Sequence, residues 1–363
     1  MERILGLINI SSLNNNNILN YFILLLFIKM LIRYSFKKYN KYKYNNLKLK
    51  IFGVPYKESA KLSSTFNSKE YERLNNINYR VKWALGKWYD TSEQIFLPNK
   101  NYFIHNDYLI KDHYPLLKII MRDTNHFLYH HGDVQHSVGT PCFTKTRPID
   151  DKTNIIILLG FERHWKKVLE IQTIDKAFEQ KRNIAIWRGT TTGCPPHLPR
   201  RERPGNRFTL VEKWYNKNEN IDVGFSFICQ EEETYKEYVK GQESIEHMLQ
   251  YKYLICAEGN DVASGLKWML YSKSVVLMPK PTTVSWFMED HLVPFKHYVP
   301  IKDDWSDLLK MYTWCENNQD KCKVIIKCAN EYVHRFIDEF ESGFAGVIHD
   351  EITRIYRKNF IFT

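Results

Sequence analysis

Three short stretches of the chain combine residue types that can do chemistry. The first, Trp187-Arg188-Gly189-Thr190-Thr191-Thr192-Gly193, runs from an apolar stretch into a turn rich in glycine and hydroxyls. Backbone N–H groups and hydroxyls in such a turn suit a phosphate, and Arg188 adds a forked cation that matches a diphosphate. The spacing of a Walker loop is absent, and an ordinary turn at a strand end explains the run equally well. The second, Glu258-Gly259-Asn260-Asp261-Val262-Ala263-Ser264, follows another apolar stretch. There Glu258 can accept hydrogen bonds from ribose hydroxyls, while Asn260 or Asp261 suits a helix N-cap, the commonest use of such residues. The third is His131-Gly132-Asp133-Val134, with Thr144-Lys145-Thr146-Arg147-Pro148 shortly after. A carboxylate there can take the proton of a sugar hydroxyl. Standing alone, Asp133 reads as a turn aspartate. His130, His131 and His136 have no acidic or cysteine partner at ligand spacing, so no metal site is expected.

These stretches need elements to hold them. Residues 183–187, 253–256 and 274–278 are short apolar runs that end in polar or glycine-rich loops, as buried strands do. Between the last two, 262–271 is long enough for a crossover helix, so 253–278 predicts a β-α-β unit and a parallel sheet. Ligands of such sheets bind at the carboxyl ends of the strands, where the second stretch falls. Upstream, 68–90 has apolar residues at helical spacing, 116–121 predicts a helix and 155–159 a strand. The stripe from Ile325 to Phe340 predicts a helix packed on a core.

The chain has 363 residues, which suits two lobes better than one core. Its composition, 44% hydrophobic and 26% charged, excludes a wholly disordered protein. The formal net charge of +11 favours anionic partners. Much of it is local, however: Lys29, Arg33, Lys37, Lys38, Lys41, Lys43, Lys48 and Lys50 stand in one stretch without an acid. The apolar run before and around Lys29 is shorter than the ~20 residues of a spanning helix. A signal-anchor, an interfacial helix and a signal-peptide core all fit it. Residues 18–50 are expected to meet a membrane surface, with the catalytic body in the cytoplasm by the positive-inside rule. Seven scattered cysteines without a CxxC pair make a poor disulfide framework and a poor zinc site, and Cys315 with Cys322 is the one local pair. Interleaved tyrosines and lysines from Tyr39 to Lys50 raise a second class, a basic nucleic-acid-binding protein. Charge confined to the tail speaks against it, and no nucleic-acid partner is expected.

Read in order, the segments resemble glycosyltransferase family 90. The resemblance is carried by the run from Tyr251 to Trp268, by Ser274 to Pro279, by Trp286-Phe287 and by His297-Tyr298-Val299-Pro300. It covers roughly 133–340. The lipopolysaccharide-type branch is nearest, through Glu258-Gly259-Asn260-Asp261, Gly132-Asp133, Lys145-Thr146-Arg147-Pro148 and Arg163-His164. What this implies is an α/β, GT-B-like fold of two Rossmann-like lobes with a cleft between them. Residues 1–50 are then a membrane-associated or flexible basic segment, 51–180 an acceptor-side lobe, 181–342 a nucleotide-sugar lobe and 343–363 a helical tail.

The resemblance also implies an inverting, metal-independent enzyme. It would move a hexose or pentose from a UDP-sugar to a hydroxyl of a glycan, lipopolysaccharide or protein, with no cofactor beyond that co-substrate. Carried over by position, Asp133 is the base, and Arg188, Gly189 and Thr190 hold the diphosphate. Glu258, Gly259, Asn260, Asp261 and Ser264 belong to the donor loop, and Arg207 is similar to a family arginine that follows the Arg-Gly motif. The chain departs from the protein O-glucosyltransferase branch at Gly265, where that branch has an arginine before Leu-Lys, and Lys267 or another cation is expected to replace that contact. An inactive family member serving as a binding scaffold is the remaining alternative.

Overall fold

Residues 74–91, 94–97, 127–130, 132–158, 164–193, 203–229 and 233–362 are described by the structure, a computed structural model. They fall in one unit, Asn67–Thr363. The segment 1–50, the helix expected over 116–121, and His131, Arg163 and Cys194 lie outside the described residues.

The first helix, α1 (Ile77–Leu85), starts where the Asn76 side chain accepts the Tyr79 N–H and stops at Gly86, whose φ of 58° the helix cannot continue. It is the middle of the helix expected over 68–90. Short strands β1 (Ile95–Leu97), β2 (Phe143–Thr144), β3 (Thr146–Pro148) and β4 (Ile155–Ile156) follow, then α2 (Lys166–Ile174). Next come β5 (Arg182–Gly189), α3 (Arg207–Trp214), β6 (Ile221–Phe225), the one-turn α4 (Ile245–Met248), β7 (Tyr251–Ile255), α5 (Leu266–Tyr271) and β8 (Val275–Met278). After them stand β9 (Thr283–Ser285), β10 (Val299–Pro300), α6 (Leu308–Asn317), α7 (Gln319–Ser342), α8 (Phe344–Asn359) and β11 (Phe360–Phe362). The predicted strands correspond to β5, β7 and β8, and the helix expected over 262–271 forms only from Leu266, leaving 256–265 as loop.

One five-stranded sheet has the order β10-β8-β7-β5-β6, with every neighbouring pair parallel. Alternation along the strands sends Ala185, Trp187, Tyr253, Ile255, Val275 and Leu277 into one core. It sends Ile186, Leu254, Val276 and Met278 into the other. On the first face lie α3 and α6, on the second α2 and α5, while α7 serves both, with Cys322 and Ile325 in one and Val333 and Phe336 in the other. Burying a side chain such as Val, Leu or Phe stabilises by roughly 1.5–3 kcal/mol, so coverage of both faces is what holds strands this short.

The crossovers set the place of a ligand. From β5 the chain passes through α3 to β6 on one flank, whereas from β7 it passes through α5 to β8 on the other, and α3 and α5 lie on opposite faces. The crossovers from two adjacent strands therefore leave for opposite faces, and open α/β sheets bind ligands at such a switch point. The antiparallel pair β3–β9, with Thr146 opposite Ser285, brings the 132–148 segment into this neighbourhood. At the other end α8 shares a core with α1, through Ile348, Ile352, Val81 and Leu85, and β11 pairs with β1. Among the described residues before 180 the strands have only two or three residues each.

Candidate functional site

The loop leaving β7 carries four polar side chains with different tasks. Glu258 accepts from Arg203 Nη2 at 3.0 Å and from the N–H groups of Thr282 and Thr283 at 3.0 and 3.2 Å. The Thr282 hydroxyl is a fourth donor. With its oxygens so occupied, Glu258 fastens the segment after β8 to the loop, and a ribose hydroxyl would have to displace one of these partners. Asn260 accepts the Gly193 N–H at 3.0 Å. Ser264 is exposed and Gly259 buried.

Asp261 has a side chain only 5% exposed, and Lys145 Nζ lies 2.7 Å from its Oδ2. The same ammonium is 2.7 Å from Asp133 Oδ1, whose side chain is 36% exposed. Thr146 completes the link, its hydroxyl lying 3.0 Å from Val134 O and 3.1 Å from Asp261 Oδ2. Two carboxylates thus share one lysine but differ in environment. Burial pushes Asp261 up to about 6, with Lys145 pulling down and Asp133 pushing up. Burial acts upward on Asp133 too, but the Lys145 charge and hydrogen bond, with Asn260 and Asp261 contacts, hold it below the usual carboxylate range. Asp133 is the more acidic, solvent-reaching member of the pair.

The loop leaving β5 is bound to the loop leaving β7. Gly193 has φ 107°, and a Cβ there would sit 3.1 Å from Glu258 O, so glycine fits both the backbone and the approach. Arg203 Nη1 donates to Gly193 O at 2.8 Å and also to Gly259 O. Arg207, the first residue of α3, donates Nε to Glu258 O at 3.0 Å, and Nη1 to Thr192 Oγ1 at 2.8 Å and Thr190 O at 3.2 Å. Burial lowers its pKa to about 10, still far above neutrality. Its hydrogen-bond acceptors are all neutral, and its Nη2 has none among the described residues.

Arg188 is directed elsewhere. Its Nη2 lies 2.8 Å from Asp222 Oδ2 on β6, and its Nη1 donates to Asp222 O and Trp187 O at 3.1 and 2.9 Å. Lys240 holds the other oxygen of Asp222 at 2.7 Å. The register explains this: Ile186 is opposite Asp222 and Arg188 opposite Gly224, so Arg188 and Asp222 are diagonal neighbours on one face. The structure therefore brings Asp133, Asn260, Asp261, Thr190 and Arg207 into one linked set, and Arg188 makes no hydrogen bond with it.

Lys267 lies in the core at 1% exposure, its ammonium without a hydrogen bond and 5.8 and 5.6 Å from the ring centres of Trp165 and Phe287. Burial lowers its pKa, against the pull of Glu289. Glu289 accepts from Ser285 N and Oγ at 2.6 and 2.8 Å, and burial raises it to about 7. A small cleft is walled by Gly205, Cys256, Glu258, Val262, Leu266 and Glu289, among others, while Asp133, Arg188 and Arg207 are not on its walls. Among the described residues no group of three or more His, Cys, Asp or Glu side chains is placed to hold a metal ion. Cys315 and Cys322 are free thiols.

Arg203 escaped the sequence reading, and Lys145 was singled out there only as part of a motif, with no role of its own. Lys145 stands in the Lys-Thr-Arg-Pro run, where nothing local tells which basic residue meets the acids. Arg203 stands four residues before Arg207 in a basic run that leads into the N-cap Asn206. A basic run just before an N-cap was the available signal.

The fold is an open, parallel α/β sheet whose switch point is covered by polar, cationic and carboxylate side chains, the place where sheets of this class bind ligands. Residues 159–339 match the model of glycosyl transferase family 90, and over this stretch the chain belongs to that family. The O-glucosyltransferase LpsA of Dichelobacter nodosus is 30% identical over 207 residues, 56% of this chain and 59% of the relative. Protein O-glucosyltransferase 2 of Danio rerio is 27% identical over 158 residues, 43% of this chain and 29% of the relative. The uncharacterized protein 179R of Invertebrate iridescent virus 6 is 34% identical over 98 residues, 25% of this chain and 8% of the relative. The chain thus spans less than two thirds of the length of each.

Proposed function

We propose that the protein is an inverting, metal-independent glycosyltransferase that moves a hexose or pentose from a UDP-sugar to an acceptor hydroxyl. Asp133 takes the hydroxyl proton while the acceptor oxygen bonds to the anomeric carbon and the bond to the diphosphate oxygen breaks. The leaving UDP gains negative charge. In this reading Arg207, at the start of α3, receives it over the joined loops 189–193 and 258–264. The observation that carries the reading is the charge balance at the switch point. Arg203 is matched by Glu258 and Arg188 by Asp222, whereas the Arg207 guanidinium bonds only neutral groups and stands near the end of the sheet to which Asp133 is tied.

The remaining parts of the reading follow the family. The arrangement is GT-B-like, with an acceptor-side lobe within 51–180 and a donor lobe within 181–342, and residues 18–50 bring a cytoplasmic body to a membrane surface. The acceptor is a glycan, lipopolysaccharide or protein hydroxyl; the relatives are named as O-glucosyltransferases.

The test is UDP release by the purified chain from UDP-glucose, UDP-galactose and UDP-xylose, with and without EDTA, and NMR of the product anomer. Release with at least one donor, unchanged by EDTA, and an inverted anomer are expected. Asp133→Asn should lower turnover by about 10²–10⁴-fold with UDP binding kept. Silence with every donor, or full turnover in Asp133→Asn, would reject the reading.

A further inference from the structure

We propose that Lys145 is a positioning residue for the reacting carboxylate, an ammonium that docks ionised Asp133 onto the β7 loop by sharing itself with buried Asp261. The inference rests on the reading of Asp133 as proton acceptor. Its ground is geometric. Asp133 lies in the segment before β2, outside the five-stranded sheet, and Lys145, Asn260 and Asp261 connect its side chain to the sheet's loops. Lys145 is the pivot, 2.7 Å from each acid and buried.

Two features make the pivot stiff. Lys145 sits between β2 and β3, and β3 is pinned to β9 by its ladder, so the stem of the lysine cannot follow a moving Asp133. Asp261 is fixed in turn by the Thr146 hydroxyl. A lysine bound to Asp133 alone would keep it charged but not placed; the second acid supplies the placing.

The charge balance agrees with this task. Two carboxylates and one ammonium leave an excess of negative charge, which the exposed member, Asp133, presents to a proton. The other charged groups facing the cluster are Lys267 on α5, itself drawn to Glu289 after β9, and Arg207 on α3. Lys267 is screened from Asp133 inside the core, and Arg207 bonds the loops, so Lys145 remains the cation in contact with Asp133.

The experiment follows the Asp133 carboxyl directly. In the full chain labelled with ¹³C-aspartate, the Asp133 signal is assigned by its loss in Asp133→Asn and titrated in wild type, Lys145→Met and Lys145→Arg. Removing the ammonium should raise the Asp133 pKa by about 1–3 units, and arginine should recover most of the shift. Should Lys145→Met unfold because Asp261 is left buried and unpaired, Lys145→Met/Asp261→Asn removes both charges and should still raise the pKa. Turnover of UDP-glucose, or of whichever UDP-sugar gives release, should show the acid limb of kcat moving up by the same amount with KM unchanged. An Asp133 titration that is the same with and without Lys145 overturns the role of Lys145, whether or not the chain turns over a UDP-sugar. A titration that moves while the rate profile stays fixed overturns Asp133 as the proton acceptor, and the positioning role with it.

Discussion

Arg188 and Arg207 flank the same loop, one at the end of β5 and one at the start of α3, yet they place their donors differently. Arg188 turns along the sheet to Asp222, and a full negative charge cancels its own. Arg207 reaches over the loop ends to carbonyls and a hydroxyl, which order the guanidinium without neutralising it. A cation already paired with a carboxylate gains little from a diphosphate, because the pair must be broken first. One held by neutral acceptors keeps its charge for an incoming anion.

The sharpest way to break that comparison is to remove each arginine in turn. Arg207→Met should lower kcat/KM for the donor by about 10²–10³-fold and weaken UDP binding in calorimetry. Arg188→Met should leave kcat/KM within a few-fold and instead lower the melting temperature modestly, since Lys240 still faces Asp222. Equal losses of turnover in the two variants would erase the distinction.

A second contrast is between the acids of the cluster, and pH sharpens it. Asp261 has a folded pKa raised to about 6 from 3.8, so its contribution to stability is fully present below pH 4 and lost as pH rises through 6. Asp261→Asn cannot ionise. Its stability relative to wild type should therefore improve from pH 4 to pH 8, by roughly 3 kcal/mol if the whole shift counts. Urea titrations at the two pH values measure this, and a gap that does not change with pH would contradict it.

The smallest effect concerns the junction of the two loops. Gly193→Ala should destabilise by about 1–2 kcal/mol, through both its φ of 107° and its approach to Glu258 O, and should weaken UDP binding as the loops part. Gly241→Ala has a φ of 93° but no atom within 4 Å of the added Cβ. It should lose less, with donor binding intact. If Gly241→Ala is the more damaging, close approach is not what Gly193 supplies.

Much of the sheet was legible in advance because apolar runs that end in polar loops are a local signal: β5, β7 and β8 fall on the runs at 183–187, 253–256 and 274–278. The long stripe of α7 was legible for the same reason. Element lengths were not. The helix expected over 262–271 starts only at Leu266, and β6 and β10 carry no comparable run. Of the site, the loops at 189–193 and 258–264 and the carboxylate Asp133 could be singled out by type and position. The role of Lys145 could not, since it comes from β3 pairing with β9, far away in the chain.

The amino-acid sequence by itself determined which segments become buried strands, where polar loops interrupt them, and which residues have groups fit for phosphate or proton chemistry, because these are properties of neighbours along the chain. Only the tertiary structure decided how those groups are used. Strand register gave Arg188 to Asp222, the switch in crossover direction set the β5 and β7 loops side by side, and burial split Asp133 from Asp261 in acidity. Charge state and pairing depend on distance and solvent access, and both are set by contacts between residues remote in the chain.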